Sequence, residues 1–310
     1  MKTAFWFVSV SLLLTGVVSL ANAQSPAVTH NTWTTGTAMP TARYAPYTGA
    51  IGKNIYVVGG ATSGYEATGV NEIYNTKKNT WTTGAPDPTP RGFGASAVVN
   101  GILYVIGGYN GSDDLTLVEA YDPVSDTWST KASMPYAFDS MPAVADKDII
   151  YVIGGNVFGS GIIANVESYN TTTDTWTEEA SLPAATAWQS VGLLGAKIVA
   201  ADGDPLSGDN EGYNVKKNTW AKLAADPTAR YAGCFSVIKG ELYVAGGWNG
   251  TTALSVSEAY SAKTNSWTTL ASMPESNGYS GSAEVGGRLY CFGGNPGNQT
   301  SDDYVQIYQP

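Results

Sequence analysis

Apolar residues fall along this chain in short runs of four or five, separated by clusters of Gly, Asn, Asp and Pro, with no stretch of helical period. A representative stretch runs Ala95–Val99, Leu103–Ile106, Val118–Tyr121 and Thr127–Thr130, which predicts four consecutive short strands, a to d. The same stretch returns along the chain. Glycine pairs close an apolar run at Gly59-Gly60, Gly107-Gly108, Gly154-Gly155, Gly246-Gly247 and Gly293-Gly294, and a degenerate copy, Asp202-Gly203, fills the one gap. Tyrosines recur at Tyr74, Tyr121, Tyr169, Tyr213, Tyr260 and Tyr308, and tryptophans at Trp33, Trp81, Trp128, Trp176, Trp220 and Trp267. Three columns that keep one common period mark an internal repeat.

Each predicted sheet is apolar on both faces and cannot stand alone. Stacking the sheets around an axis buries each face against a neighbour, with strand a innermost. The glycine pair suits a sharp, crowded exit from strand b. The tyrosines and tryptophans read as packing anchors between sheets. The last copy stops at Pro310 without its tryptophan, whereas Trp33 has no strands a to c before it. Joining the segment His30–Thr35 to Val305–Tyr308 completes a sixth sheet and removes two open edges.

The copy ASAVVNGILYVIGG (Ala95–Gly108), followed by LVEAYDPVSDTW (Leu117–Trp128) and Met134-Pro135, resembles the kelch repeat. The resemblance covers essentially all of the chain after the leader. It implies an all-β, six-bladed kelch propeller with four-stranded antiparallel blades, the last closed by the N-terminal strand. The blades are expected at 41–84, 91–132, 138–180, 186–224, 230–271 and 277–310 with 30–36. Blade 4 departs from the pattern in having Asp202 for the first glycine, Ala200 and Ala201 before it, and fewer residues.

Lys2, the apolar run Ala4–Leu20 and the small-residue site Ala21-Asn22-Ala23 read as a signal peptide, so the mature chain is expected to begin at Gln24 in the periplasm or outside the cell. No further apolar segment predicts membrane insertion after cleavage. The net charge of −10 argues against nucleic acid or anionic lipid as a partner. Cys234 on a strand a and Cys291 on the next blade's strand b either form a disulfide or serve as small buried fillers. The sequons at Asn110, Asn170, Asn249 and Asn298 matter only in a eukaryotic source. A monomer is expected, because ring closure uses the open edges.

Positions that vary between blades carry the candidate site. In the loop from strand d to strand a, the third residue after the proline of the Met-Pro-like dipeptide is Arg43, Arg91, Phe138, Thr186, Arg230 and Asn277 in blade order. Nearby lie Tyr44, Phe93, Asp139, Trp188, Gln189, Tyr231 and Tyr279. The loop after the glycine pair contributes Tyr109, Asn110, Asn156, Phe158, Asp204, Trp248, Asn249 and Asn295. By resemblance to kelch adaptors, both loops belong to one ligand face around the channel. Arginines suit anionic groups, aromatics stack on sugars or apolar side chains, and amides give directional hydrogen bonds. The alternative for the arginines is capping of neighbouring carbonyls.

The chemistry points to recognition of a peptide, protein or glycan, with no cofactor. One histidine, His30, excludes the copper site of the related galactose oxidase, a His/Cys zinc site, and a placed Ser-His-Asp triad. The family also includes sialic acid mutarotases, so a sugar-acting enzyme is the alternative, with Asp139 and Asp204 as acid and base; Glu275 is another carboxylate in these loops. A structural envelope protein is a weaker alternative. Asp113-Asp114 and Asp302-Asp303 read as solvated turns rather than calcium ligands.

Overall fold

A repeated side-chain lock joins every sheet to the next. In the computed structural model, which describes Met1, residues 30–297 and residues 300–310, the tyrosine of strand c donates its hydroxyl to an Asx side chain five residues on: Tyr74 to Asn79, Tyr121 to Asp126, Tyr213 to Asn218, Tyr260 to Asn265. The same Asx oxygen accepts a backbone N–H from the preceding blade, as Asp126 does from Ala85. The tryptophan two residues later donates its indole N–H to that blade's carbonyl: Trp128 to Ala85, Trp176 to Ala132, Trp220 to Ala180. The segment Lys2–Ala23, expected to be a signal peptide, and Asn298 lie outside the described residues.

The four strands of blade 1 are Tyr47–Ile51, Asn54–Val58, Asn71–Asn75 and Thr80–Thr83, and those of blade 2 are Ala95–Val99, Ile102–Ile106, Val118–Asp122 and Thr127–Lys131. Blade 3 has Ala143–Asp146, Ile149–Ile153, Val166–Asn170 and Thr175–Glu178, plus a small hairpin of Asn156–Val157 and Gly161–Ile162. Blade 4 has Ser190–Leu194, Lys197–Ala201, Asn210–Asn214 and Thr219–Lys222. Blade 5 has Cys234–Ile238, Glu241–Ala245, Ser257–Ser261 and Ser266–Thr269. Blade 6 has Gly281–Val285, Arg288–Gly294, Asp302–Gln309 and the N-terminal Thr32–Thr35. Every sheet is antiparallel in the order a, b, c, d. Strand a of each blade packs on strand a of the next, and blade 6 packs on blade 1, so the ring closes.

Closure follows the sequence expectation: Trp33 stands opposite Tyr308, and Trp33 Nε1–H donates to the Ala271 carbonyl. Blade 4 is complete despite its departures. Asp202 takes the left-handed conformation that the glycine pair takes elsewhere (φ 64°), which Asp tolerates better than most residues. At Gly108 (φ 92°) no such replacement fits, since a Cβ would collide with the Tyr47 hydroxyl and the Gly92 carbonyl.

Cys234 and Cys291 form a disulfide between blades 5 and 6, with Cα atoms 5.8 Å apart and a sequence separation of 57. Both are buried. The bridge joins the closing blade to its neighbour, so it restricts the unfolded chain across a long loop. Reduction, or Cys234→Ser with Cys291→Ser, is expected to remove roughly 2–4 kcal/mol of stability. Thermal unfolding with and without reductant checks this; equal midpoints would show that the sheets alone hold the ring.

Candidate functional site

The two variable loops of each blade meet at one end of the ring. The residue after the glycine pair makes a bridge to the loop entering strand a: Tyr44 with Ala61, Gly92 with Tyr109, Asp139 with Asn156, Ala187 with Asp204, Tyr231 with Trp248 and Gly278 with Asn295. The sequence expectation that both loops share a face is met.

Just beyond these bridges sits a backbone collar. Ala45, Phe93, Ser140, Trp188, Ala232 and Tyr279 occupy one equivalent position in the six blades, all with φ between 48° and 64°. Each N–H donates to the carbonyl of the residue before it in the ring: Phe93 to Ala45, Ser140 to Phe93, Trp188 to Ser140, Ala232 to Trp188, Tyr279 to Ala232, and Ala45 back to Tyr279. Left-handed conformations at non-glycine residues cost energy, and the closed circuit of hydrogen bonds holds them. Alternate blades place large side chains here. Phe93 and Trp188 meet edge to face at 5.8 Å between centroids, and Trp188 and Tyr279 at 4.9 Å. These three half-buried aromatics line the axial cavity of 580 Å³, whose walls are the small residues of strand a, such as Ala97, Ser236 and Gly281.

Around this platform, Tyr44 packs edge-on to Phe93, and Trp248 lies 6.4 Å from Tyr279. The Tyr44 hydroxyl and the Trp248 indole N–H are buried without a hydrogen-bond partner. Burial raises the Tyr44 and Tyr279 phenols well above their ordinary range, so both are neutral donors.

Several expected ligand residues are elsewhere. Arg43, Arg91 and Arg230 are 0% exposed, inside the blades rather than at the channel mouth. Arg43 pairs with Glu72 and donates to the Val57 carbonyl. Arg91 pairs with Glu119 at 2.8 Å and Asp87 at 3.2 Å. Arg230 pairs with Glu258 and, at 3.3 Å, with Asp226. The capping alternative therefore describes them, with carboxylates added to the carbonyls. Phe138, Gln189, Asn277 and Asn295 are also buried, and Asn277 Nδ2 donates to the Gly293 carbonyl and to Asp302. Asn249 is exposed, but its side-chain oxygen accepts the N–H groups of Thr251 and Thr252 and so shapes its own turn. Tyr109, Asn156, Trp188, Trp248 and Tyr279 remain partly exposed at the mouth.

A second feature of this face went unread in the sequence. Asp139 interacts with Asp114 of the neighbouring blade, and burial, with the Asp114 charge adding to it, pushes Asp139 up to about 6. Asp114 accepts the Phe158 N–H at 2.6 Å, and its other oxygen is buried and unpartnered. Tyr109 and the exposed Phe158 stack beside it with centroids 6.0 Å apart. The carboxyl that faces Asp139 is thus Asp114, which the sequence placed in a solvated turn, whereas the Asp204 carboxyl acts on Tyr279. The interblade hydrogen bond to Phe158 N–H, invisible in sequence, brings the hairpin over Asp114. Among the described residues no cluster of His, Cys, Asp and Glu could hold a metal ion. His30 lies at the outer strand, where its Nδ1 contacts the Pro310 carbonyl.

Comparison with known proteins agrees with this architecture. A family model described as the KLHDC2/KLHL20/DRC7 Kelch-repeats domain matches residues 20–203, and a Kelch motif model matches residues 229–274. No curated protein matches the chain. A solved structure titled "Structure of YjhT" is similar in fold, with a TM-score of 0.75 at 17% identity over 87% of this chain and 95% of that one.

Proposed function

Because this chain belongs to the kelch-repeat family, we propose that it is a recognition module that seats its ligand on the loop face at the aromatic end of the channel. The observation that carries this reading is the platform of Phe93, Trp188 and Tyr279, held half-exposed by the backbone collar. Flat aromatic faces stack on apolar side chains or sugar rings. With the arginines buried, Asp113, Asp114, Asp139 and Asp204 set the charge of this face. The ligand class is therefore a neutral or basic peptide, protein segment or glycan, rather than an anionic sugar. Export and action outside the cytoplasm as a monomer complete the reading; the buried Cys234–Cys291 bridge supports export, since disulfides persist in oxidising compartments.

The test is a combined peptide and glycan array, read with the wild type and with Phe93→Ala, Trp188→Ala and Tyr279→Ala together. Alanine suits these positions, because Ala45 and Ala232 already hold the same conformation. Binding is expected to fall by at least about a hundredfold, as for aromatic hot spots, while the circular dichroism spectrum is kept. Hits that survive the triple change would place the ligand elsewhere.

The Asp114–Asp139 pair favours a second reading, acid–base action on a sugar's anomeric centre. A carboxyl at about 6 beside a second carboxyl is poised to give and take a proton near neutrality. Asp139→Asn would then abolish anomer exchange and leave binding intact.

A further inference from the structure

Five of the six blades bury a large side chain of their own at one recurring position. In blade 2, Arg91 Nη1 donates to the carbonyls of Gly107 and Leu117 at 3.3 and 3.0 Å, and Nη2 to Glu119 at 2.8 Å. In blade 5, Arg230 Nη1 donates to the carbonyls of Gly246 and Val256 at 3.1 and 2.9 Å, and Nη2 to Glu258. Arg43 fills the site of blade 1 with the same Glu contact. In blade 6 Asn277 donates to the Gly293 carbonyl, and in blade 3 the buried Phe138 holds the same sequence position, with both oxygens of Glu167 buried and unpartnered.

Blade 4 has Thr186 at this position. The residues equivalent to Gly107, Leu117 and Glu119 are Asp202, Asp209 and Glu211, identified by the shared hydrogen bond (Gly107 N–H to Leu117, Asp202 N–H to Asp209) and by the glutamate two places before the repeat tyrosine. All three line a cavity of 140 Å³, together with Thr186. Ala184 stands where Thr41 of blade 1 donates to Glu72, so Glu211 lacks that partner too. An independent sign of a missing donor is Gln189, which also lines the cavity. It is 3% exposed, its Nε2 donates to the Thr186 carbonyl at 3.0 Å, and its Oε1 has no partner. Lys222, cross-strand from Glu211, is held at the surface by Asp209 at 2.8 Å, and Arg230 of blade 5 meets the Asp202 carboxylate at 3.9 Å, so neither takes the place that Arg91 has in blade 2. The rim is small and exposed: Pro183, Ala184, Pro205 and Ser207.

We propose that this cavity is a guanidinium subsite, which takes an arginine side chain from a ligand peptide where blades 1, 2 and 5 use their own. The acceptors are those that hold Arg91 and Arg230: two carbonyls and a glutamate arranged for a planar group with donors on both arms. An ammonium has no such fork and fits the set less well. None of Phe93, Trp188 and Tyr279 lines the subsite, although Gln189 borders both cavities, so each site can be tested apart from the other.

The probe is N-acetyl-arginine N-methylamide titrated into the purified protein, with binding followed by NMR, and the lysine analogue as control. The expected result is saturable binding of the arginine compound, at least about tenfold weaker binding of the lysine compound, and loss of binding in Thr186→Arg, which supplies its own guanidinium. Thr186→Arg should melt at or above the wild-type temperature. If that variant does not fold, Glu211→Gln is the second arm, expected to weaken binding about tenfold, the value of one charge-assisted contact. No saturable binding to wild type, equal affinity for both compounds, or wild-type affinity in folded Thr186→Arg or Glu211→Gln overturns the proposal. The variant lacking Phe93, Trp188 and Tyr279 should keep arginine binding, which separates failure of this subsite from failure of the aromatic site.

Discussion

Arg230→Leu is expected to lower the unfolding free energy at pH 8 by about 3–5 kcal/mol, the cost of removing one partner from a buried ion pair. The guanidinium is 0% exposed and faces Glu258, Asp226 and, at 3.9 Å, Asp202. It also donates to two carbonyls that end strand b and begin strand c. Leucine would leave three carboxyls and two carbonyls in a dry site without a cation. The loss should shrink at pH 5, where the carboxyls can take up protons, and Glu258→Leu added to Arg230→Leu should recover part of it. Urea unfolding at both pH values measures this. A loss below about 1 kcal/mol, the range of surface pairs, would mean that the guanidinium does not hold the blade together.

That role explains why these arginines read as ligand residues in the sequence. They occur in three blades of six, so subtracting the repeat left them among the variable positions. Their partners were visible, however: Thr41, Thr89 and Thr228 stand two residues before them, and Glu72, Glu119 and Glu258 two residues before the repeat tyrosines. The threonine stands only in the blades that carry the arginine, which marks a packing set, whereas the glutamate also stands in blades 3 and 4 as Glu167 and Glu211. Blade number, strand order and closure were legible, because each follows from period and from the burial of two apolar faces. Strand a of blade 2 has the expected ends, Ala95 and Val99. The collar was not legible. It consists of backbone hydrogen bonds between blades, and residues as unlike as Ala45, Ser140 and Trp188 share its conformation. The Asp114–Asp139 contact was hidden for a related reason, since it crosses from one blade to the next.

Stability is expected to fall by roughly 4 kcal/mol between pH 5 and pH 8, given that one pKa unit corresponds to about 1.4 kcal/mol and that several coupled carboxyls contribute. Burial, reinforced by Asp87 and Asp226, pushes Glu119 and Glu258 up to about 7. Burial likewise pushes Asp139 and Asp302 up to about 6, and raises Asp202 beside Asp226 well above the ordinary range. Each of these groups binds its proton more tightly folded than unfolded. Their contribution is complete below the unfolded values near 4 and is lost as pH rises through 6 and 7. The opposite sign holds for Asp122, Asp126 and Asp174, which backbone N–H groups and the hydroxyls of Ser125, Tyr121 and Tyr169 keep low; their contribution fails only in stronger acid. The two sets together put the maximum at about pH 4. Urea unfolding across pH 4 to 8 at fixed salt tests the profile, and a rise in stability towards pH 8 would refute it. Asp202→Gly restores the glycine that five blades carry and should flatten the upper limb, as should Asp139→Asn. The second variant also bears on the ligand face. If Asp139 ionises near pH 6 at the channel mouth, a basic ligand should bind more tightly above that pH in the wild type and without that dependence in Asp139→Asn.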